Sequence, residues 1–508
     1  MLSAISGALL ESLSIMKKRL ISIELERALV YQANLKHYPP LGTPFGSATP
    51  FSFQSFLQKL LEKGWEPIFD PTTGVVLRVR KERPSKFQIA NYWTCTSDVT
   101  TGIFETTLPP LDNIFELEKE QRFLDKAILP LLGEEGLFMW YTEATPVTQA
   151  TRQYYALFHT YWRGEYAHLR KRGVDHYWFS WILGNNPSLD VSVQEAIPFL
   201  RIIIRLTGIT FFFLRLGAIC GSKISPNKML SIRPWAWRNL FLKSPYNDDL
   251  DRVGMPEKEI TSWHDYFSYL MRLRLLTLFS DDGLPLRIFS DPTFFSFWKT
   301  PPISGWDACS ISGQRTKVYH AELTNLERLQ RQIYISRLRF NFSSKTNLDE
   351  FGKAFAGGET ALEEWLDGSL EKLYIEVRSD SCPPKDEEFS TLALYLGLLT
   401  HLDETFEYVV NNFTYDFWKK VFTIAPFAPM DSKVDNIWIP ELLEKIIDLS
   451  TQGLKKRGLK EESFLEPLSD RVRRKTTPAD IQLQIFKKAG NREKAIRALA
   501  EEYGLFPK

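Results

Sequence analysis

The chain has 508 residues, of which 44% are hydrophobic and 25% charged, and these proportions exclude a wholly disordered or fibrous protein. Lys and Arg number 63 and Asp and Glu 62, so the net charge is +1. This balance argues against bulk nucleic-acid binding, which usually requires a basic excess. The four cysteines are far apart and form no Cys-x-x-Cys pair, which disfavours a disulfide framework or a thiolate zinc site and favours a reducing cytoplasm.

Neither apolar stretch of the chain has the features of a signal peptide or a membrane span. The N-terminal one is short, contains Glu11 and is followed rather than preceded by basic residues, which is wrong for a secretory signal. The strongest apolar run, Ile197 to Cys220, contains arginines at positions 201, 205 and 215. Each would cost roughly 2.5–3.5 kcal/mol at the centre of a bilayer. We therefore predict a long buried helix with one polar edge.

Hydrophobic periodicity predicts the remaining elements in chain order. The predicted strands are 20–30, 66–69, 74–80, 87–94, the segment around Glu105, 189–195 and 372–379. The predicted helices are 51–64, 112–132, 146–170, 196–219, 262–279, 359–371, 387–411 and 439–457, followed by a charged helical tail from 459. Residues 221–257 are predicted to form a loop. Strands of antiparallel type mixed with long helices, without regular βαβ alternation, indicate an α+β enzyme domain.

Four of the predicted strands carry acidic or amide side chains on the face opposite their apolar residues. These side chains are Glu24 and Glu26, Glu105, Gln194 and Glu376. An antiparallel sheet can use one face for the core and leave the other to line a cleft. Carboxylates gathered there would repel one another unless cations lie between them, and oxygen ligands suit Mg²⁺ or Mn²⁺. Such ions neutralise polyphosphate oxygens, and Arg378 beside Glu376 is placed to bind a phosphate or carboxylate.

Each of these signals also has a purely structural explanation. A Glu-x-Glu pair is typical of a solvated strand face, and Glu376 with Arg378 is typical of a cross-strand ion pair. Gln194 alone is typical of a buried amide. The segment RPWAWRNLF, which begins at Arg233, fits either stacking on a base or an aromatic-packed loop. The seven histidines do not cluster, and no P-loop, GxSxG, HExxH or GxGxxG motif occurs.

Taken in order, short segments from about 20 to 485 resemble the glutamate–cysteine ligase family. The motifs are SIELE with Glu24 and Glu26, Asp98 and Glu105 followed by LPP, SVQ with Gln194, SIRPWAW with Arg233, DDLDRVGM with Arg252, YIEVRS with Glu376 and Arg378, and LALYLGLL. FLEPL at 464–468 and TTPAD at 476–480 resemble the plant and proteobacterial branch. Departures from the family pattern, such as Ser22 in place of a common glycine, leave the acceptor amine open.

The resemblance implies a fold like the catalytic domain of glutamine synthetase, in which a curved antiparallel sheet forms a funnel with helices packed outside. We expect a loose extension at 1–16, a ligase domain at 17–458 and a helical C-terminal tail at 459–508 that packs on it. The implied metal ligands are Glu24, Glu26, Asp98, Glu105, Gln194 and Glu376. The implied residues for ATP and substrate are Arg233, Arg252, Arg378 and Gln194, with Glu376, Arg378 and Arg252 as the catalytic set.

The implied reaction is the first step of glutathione biosynthesis. ATP phosphorylates the γ-carboxylate of L-glutamate, and the amine of L-cysteine then displaces phosphate. Positioning and charge neutralisation carry such phosphoryl transfer, so no protein nucleophile is needed. We expect a cytoplasmic monomer or homodimer that uses Mg²⁺ or Mn²⁺ with ATP and has neither a nucleic-acid nor a membrane partner. The alternatives are a γ-glutamyl ligase with another acceptor amine and a degenerate, non-catalytic member.

Overall fold

A computed structural model describes most of the chain. The described residues are 19–35, 53–69, 76–83, 92–98, 102–148, 151, 173–276, 278–279, 285–288, 291–300, 303–307 and 317–507. The predicted extension at 1–16, the turn at 99–101 and most of the predicted helix at 146–170 lie outside these residues.

The centre of the described structure is a ten-stranded sheet in which every pairing is antiparallel. Its strands are β1 (Ile21–Tyr31), β2 (Glu66–Phe69), β3 (Val76–Glu82), β4 (Tyr92–Ser97), β5 (Ile103–Thr107), β6 (Leu137–Trp140), β7 (Asn185–Asp190), β14 (Ser336–Phe342), β15 (Leu370–Val377) and β18 (Gly504–Leu505). The strand order is β14-β15-β7-β1-β5-β4-β3-β2, and β6 pairs with both β1 and β18. The long strand β1 therefore holds the middle of the sheet.

The other strands form three small antiparallel sheets. They are β8 (Ile219–Cys220), β9 (Lys223–Ile224), β10 (Leu278–Phe279), β11 (Pro285–Ile288), β12 (Ile303–Asp307), β13 (Lys317–Tyr319), β16 (Lys433–Val434) and β17 (Ile437–Trp438). The helices are α1 (Phe53–Glu62), α2 (Ile114–Glu134), α3 (Val193–Leu214), α4 (Arg233–Phe241), α5 (Trp263–Arg272), α6 (Phe294–Lys299), α7 (Leu323–Leu329), α8 (Leu348–Ala356), α9 (Glu359–Ser369), α10 (Ser390–Thr400), α11 (Leu402–Phe406), α12 (Tyr415–Ile424), α13 (Ile439–Arg457), α14 (Glu466–Arg474), α15 (Pro478–Lys488) and α16 (Arg492–Tyr503).

Strand alternation divides β1 between two environments. Ile21, Ile23 and Leu25 are buried in the main core, into which helices such as α3 and α10 also pack their apolar side chains. Glu24 and Glu26 point to the opposite face because successive side chains of a strand alternate. The predicted α+β class is confirmed as a mixture of helices and antiparallel sheet, while the funnel shape stays a prediction.

The apolar run forms the buried helix that the sequence predicts. Among the described helices, α3 alone is long and apolar enough to cross a membrane. Its most apolar stretch of 18 residues is 89% buried within the protein. Its polar edge is paired internally, because the Arg205 guanidinium donates to Glu259 and to the carbonyl oxygen of Phe413. Burial against the protein thus accounts for the hydrophobicity of this segment.

The predicted strand at 189–195 is wrong in its second half. β7 ends at Asp190, and α3 begins at Val193. The Ser192 side chain accepts from the backbone of Glu195, and the Glu195 carboxylate accepts from the backbone of Ser192. This capping box starts a helix and outweighs the short alternating pattern.

Two further predictions need correction. The predicted loop at 221–257 contains α4, in which Pro234 occupies the first turn, a position where proline suits a helix. The predicted helix at 387–411 is divided into α10, α11 and a π-helical turn at Glu407–Asn411.

The C-terminal segment closes part of the sheet face that bears Glu24 and Glu26. Strand β18 pairs with β6. Ile496, Leu499 and Tyr503 of α16 join Ala28 and Trp140 in a second buried cluster on that face. The division into a domain at 17–458 and a tail at 459–508 stays a prediction.

Candidate active site

The sheet register brings the predicted acidic residues together. Glu26 of β1 lies directly opposite Glu105 of β5. On the other side of β1, Glu24 lies opposite Asn186 of β7, and the next strand carries Glu376 opposite Ser188. Side chains directly opposite each other in an antiparallel pair lie on one face of the sheet. The structure therefore gathers acidic residues from β5, β1 and β15 on the face that lacks the main core.

The carboxylates on this face repel one another. Burial and the negative charge of Glu376 raise the pKa of Glu24 above its usual range, although Arg378 partly offsets them. Burial and the charges of Glu24 and Asp98 raise the pKa of Glu105 well above its usual range. Asp98 follows β4 and, through this repulsion, belongs electrostatically to the same group. An added positive charge would relieve the repulsion.

Glu376 differs from the other carboxylates because three arginines surround it. Arg337 of β14 donates through Nε and Nη2 to the two carboxylate oxygens, each at 3.0 Å. Arg339 donates to Oε2 at 2.7 Å, and Arg378 donates to Oε1 at 2.8 Å. Burial opposes ionisation of Glu376, but these three positive charges hold its pKa well below the usual range. Glu376 is therefore an ionised anchor for a cluster of guanidinium groups.

Arg378 carries a charge that its surroundings stabilise. Burial alone would lower its pKa, but the charges of Glu376, Glu24 and Glu26 outweigh burial and raise the pKa. About a fifth of the side chain is exposed, at 21%. The predicted pairing of Glu376 with Arg378 is thus present and includes two arginines that sequence analysis did not select, Arg337 and Arg339.

Asn186 is a second residue that sequence analysis missed. Its Nδ2 donates to Glu24 Oε2 at 3.2 Å, while its buried Oδ1 has no hydrogen-bond partner among the residues that the structure describes. A buried amide oxygen without a partner is uncommon and indicates a place for a ligand, an ion or a water molecule. The residue lies opposite Glu24 only because β7 pairs with β1, so no local motif identified it.

Two predicted residues lie away from the sheet face that bears Glu24, Glu26, Glu105 and Glu376, which we call the carboxylate face. Gln194 is exposed in the first turn of α3, not on a strand. The Arg252 guanidinium is fully buried and donates to Asp249 and to the carbonyl oxygens of Gln332 and Arg274. The predicted roles of Gln194 as a metal and substrate ligand and of Arg252 in catalysis remain predictions without support from these contacts.

Arg233 lies beside the carboxylates but is enclosed. Its Nη2 donates to the carbonyl oxygen of Arg378 at 3.0 Å, and its Nη1 is 3.8 Å from Glu26 Oε2. The guanidinium also lies 4.6 Å from the ring centre of Trp237, which is 2% exposed. In the RPWAWRNLF segment Trp237 is packed, as the structural alternative predicts, but the segment forms helix α4 and not a loop. Only 3% of the Arg233 residue is exposed. The role of Arg233 in binding substrate stays a prediction.

The oxygen donors fit a hard cation in chemical type. Glu24, Glu26, Glu105 and Asn186 offer carboxylate and amide oxygens, which Mg²⁺ and Mn²⁺ prefer. Among the residues that the structure describes, no group of three His, Cys, Asp or Glu side chains is arranged to hold a metal ion. The repelling carboxylates and the unpartnered Asn186 oxygen are nevertheless the features that a divalent cation would satisfy.

Comparison with solved structures supports the fold. The crystal structure of glutamate–cysteine ligase from Francisella tularensis in complex with AMP matches with a TM-score of 0.54 and 12% identity, over 96% of this chain and 89% of that chain. A bifunctional glutathione synthetase from Pasteurella multocida (TM-score 0.47, 11% identity, 97% and 52% of the two chains) and the ligase PafA in complex with the ubiquitin-like protein Pup (0.39, 8%, 96% and 73%) are too distant to carry an argument.

No family model matches the sequence, and no curated protein matches it. The structural similarity shows that this chain has the fold of a glutamate–cysteine ligase, as the resemblance predicts. The predicted plant and proteobacterial branch stays a prediction.

Proposed function

We propose that the protein is an ATP-dependent ligase that joins the γ-carboxylate of L-glutamate to the amine of L-cysteine. The observation that carries this proposal is the arrangement of Glu24, Glu26, Glu105 and Glu376 beside a cluster of arginines, in a chain with the fold of such an enzyme. Carboxylates that bind cations and arginines that bind phosphate are what phosphoryl transfer requires.

The reaction proceeds in two balanced steps. A γ-carboxylate oxygen forms a bond to the terminal phosphorus of ATP while the bond to ADP breaks, giving an acyl phosphate. The amine nitrogen then bonds to the acyl carbon while the carbon–oxygen bond to phosphate breaks, and one proton is released. Developing negative charge on the phosphoryl oxygens is the feature that the protein must stabilise in both steps.

The arginine cluster supplies that stabilisation. Arg378 and Arg339 are partly exposed, at 21% and 20%, and they share Glu376 as a common anchor. A partly exposed guanidinium held at one side by a carboxylate can donate its remaining N–H groups to phosphate. Arg337 is buried, and its ion pair with Glu376 keeps that carboxylate ionised.

Glu24, Glu26, Glu105 and Asn186 would hold Mg²⁺ or Mn²⁺. When bound, such an ion neutralises polyphosphate oxygens and orients ATP. Glu376 accepts hydrogen bonds from three arginines in the structure, so a metal role for it requires one of those contacts to open. The cytoplasmic location, the place in glutathione biosynthesis and the monomeric or dimeric state belong to this proposal as well.

The test is phosphate release from ATP and Mg²⁺ with L-glutamate, measured with and without L-cysteine and with a panel of other amines. Cysteine-specific release together with a γ-glutamylcysteine product would support the proposal. Glutamate-dependent turnover with a different best amine would retain the ligase chemistry and reject the substrate. No turnover with any amine would reject the enzymatic function.

A matched pair of variants tests the site itself. Glu376→Gln removes the charge that the three arginines share and should abolish turnover, whereas Glu371→Gln changes an exposed glutamate on the same strand and should retain it. Retained Mg²⁺-dependent activity in Glu376→Gln would reject the assigned role.

A further inference from the structure

We propose that Glu143 is a positioning residue that fixes Arg233 and, through it, holds Glu26 and the backbone of Arg378 in place. This inference rests on the proposed function, because Glu26 and Arg378 belong to the site proposed above. Glu143 follows β6 and stands in no motif of the sequence. It is completely buried, at 0% exposure, and yet carries a carboxylate, which is rare without a specific set of partners.

Those partners are concentrated at the start of α4. Glu143 Oε1 accepts from the Ser231 hydroxyl at 2.8 Å and from the backbone N–H groups of Ile232 at 2.5 Å and Arg233 at 2.6 Å. Oε2 accepts from the backbone N–H of Leu216 at 3.0 Å. The first N–H groups of a helix have no partner within the helix, and a carboxylate there also interacts favourably with the helix dipole. Glu143 therefore fixes the backbone from which the Arg233 side chain projects.

The Arg233 side chain reaches from that backbone to the candidate site. Its Nε and Nη2 donate to the carbonyl oxygen of Arg378 at 3.3 and 3.0 Å, and Nη1 faces Glu26 at 3.8 Å. Gly184 supplies the space for it, because a Cβ atom there would lie 2.4 Å from Nη2. Gly184 also donates its backbone N–H to Glu26 at 2.5 Å.

The backbone at Gly217 also lies close to the Glu143 carboxylate. A Cβ atom at Gly217 would lie 2.8 Å from the backbone nitrogen of Ile232 and 3.2 Å from Glu143 Oε1. The backbone carbonyl of Glu143 accepts from Leu183, the neighbour of Gly184. Glu143 thus contacts both the start of α4 and the segment that leads into β7. The guanidinium of Arg233 then contacts Glu26 and the carbonyl oxygen of Arg378 in the candidate site.

The first test is a double-mutant cycle on ATP turnover with Glu143→Gln and Arg233→Ala. Glutamine retains the shape but replaces one acceptor oxygen with a donor that faces N–H groups. We expect Glu143→Gln to lower kcat by about 10- to 100-fold, a size typical of displaced catalytic groups, with a much smaller change in KM. If Glu143 acts through Arg233, the double variant loses no more than Arg233→Ala alone. Losses that multiply would overturn the inference.

Gly184→Ala tests the link without altering Glu143. The added methyl group meets the enclosed guanidinium of Arg233, so we expect it to displace that group and lower kcat. Because the displaced guanidinium loses buried partners, thermal stability falls as well, and kcat is therefore compared per folded molecule. The control is Glu461→Gln, which removes a fully buried carboxylate that pairs with Arg457 away from the carboxylate face. It should lower stability and leave kcat per folded molecule unchanged. A Glu143→Gln variant that loses stability but keeps kcat would overturn the inference.

A failure of the proposed function is recognisable separately. Absence of turnover in the wild type with every amine rejects that function. The cycle is then measured on the midpoint of urea unfolding, where a non-additive pair supports the link from Glu143 to Arg233 and an additive pair overturns it.

Discussion

Arg337→Met is expected to destabilise the protein more than any single change to the other arginines around Glu376. Arg337 is 5% exposed, contacts both oxygens of Glu376, and donates from Nη1 to the carbonyl oxygens of Arg331 and Ile333 at 2.6 and 2.9 Å. Removing one partner of a buried ion pair costs about 3–5 kcal/mol of unfolding free energy. Because Arg339 and Arg378 still neutralise Glu376, we expect the lower end, about 3 kcal/mol.

The matched changes are Arg337→Lys and Arg339→Met. Lysine keeps the charge but lacks the planar fork that contacts both oxygens, so its loss should be intermediate. The Arg339 side chain is 20% exposed and makes one hydrogen bond to Glu376, so its removal should cost about 1 kcal/mol. The assay is urea-induced unfolding of the full chain at pH 7. A loss below about 0.5 kcal/mol for Arg337→Met, or a larger loss for Arg339→Met, would refute the reasoning.

Three further outcomes are expected. Burial raises the pKa of Glu388 to about 7, so the folded state binds this proton more tightly than the unfolded state. The free energy of unfolding that this group contributes is full below about pH 4.5, and about 3 kcal/mol of it is lost as the pH rises to 7. The Glu388→Gln variant should lack that loss when unfolding is measured from pH 5 to 8. Asn186→Leu should raise the Mg²⁺ concentration for half-maximal turnover at least about tenfold, whereas Asn186→Asp should not; equal Mg²⁺ requirements would contradict the proposed ligand set. Burial raises the pKa of the Cys95 and Cys382 thiols, so peptide mapping after treatment with a thiol reagent should find both unmodified until the protein unfolds.

Most of the predicted elements depend on local pattern, and the structure agrees with them where that pattern is unopposed. β1 follows the alternation of residues 20–30, and α13 has the bounds predicted for 439–457. The prediction fails where two local signals compete, as at Gln194, because the hydrogen bonds of a capping box outweigh an alternation of a few residues. Both the alternation at 189–195 and the capping-box residues Ser192 and Glu195 can be read from the sequence. Which of the two decides the local structure cannot be read from it.

The sequence by itself determined that Glu24 and Glu26 share a strand face opposite a buried one, since the period of a strand is local. It also placed Glu376 and Arg378 on one strand. Only the tertiary structure decided which strands are neighbours, and therefore that Glu105 faces Glu26 across the sheet. Cross-strand pairing joins residues far apart in the chain, and no short-range pattern encodes it.

The same reason explains the residues that were missed. Asn186, Arg337 and Glu143 acquire their surroundings from segments 73 to 162 residues away or from the neighbouring strand, as in the contacts Asn186–Glu24 at a separation of 162 and Glu143–Leu216 at 73. Composition and periodicity report what each residue is and which way it points. What a buried polar side chain binds is decided when the chain folds, because only then are its hydrogen-bond partners brought within about 3 Å.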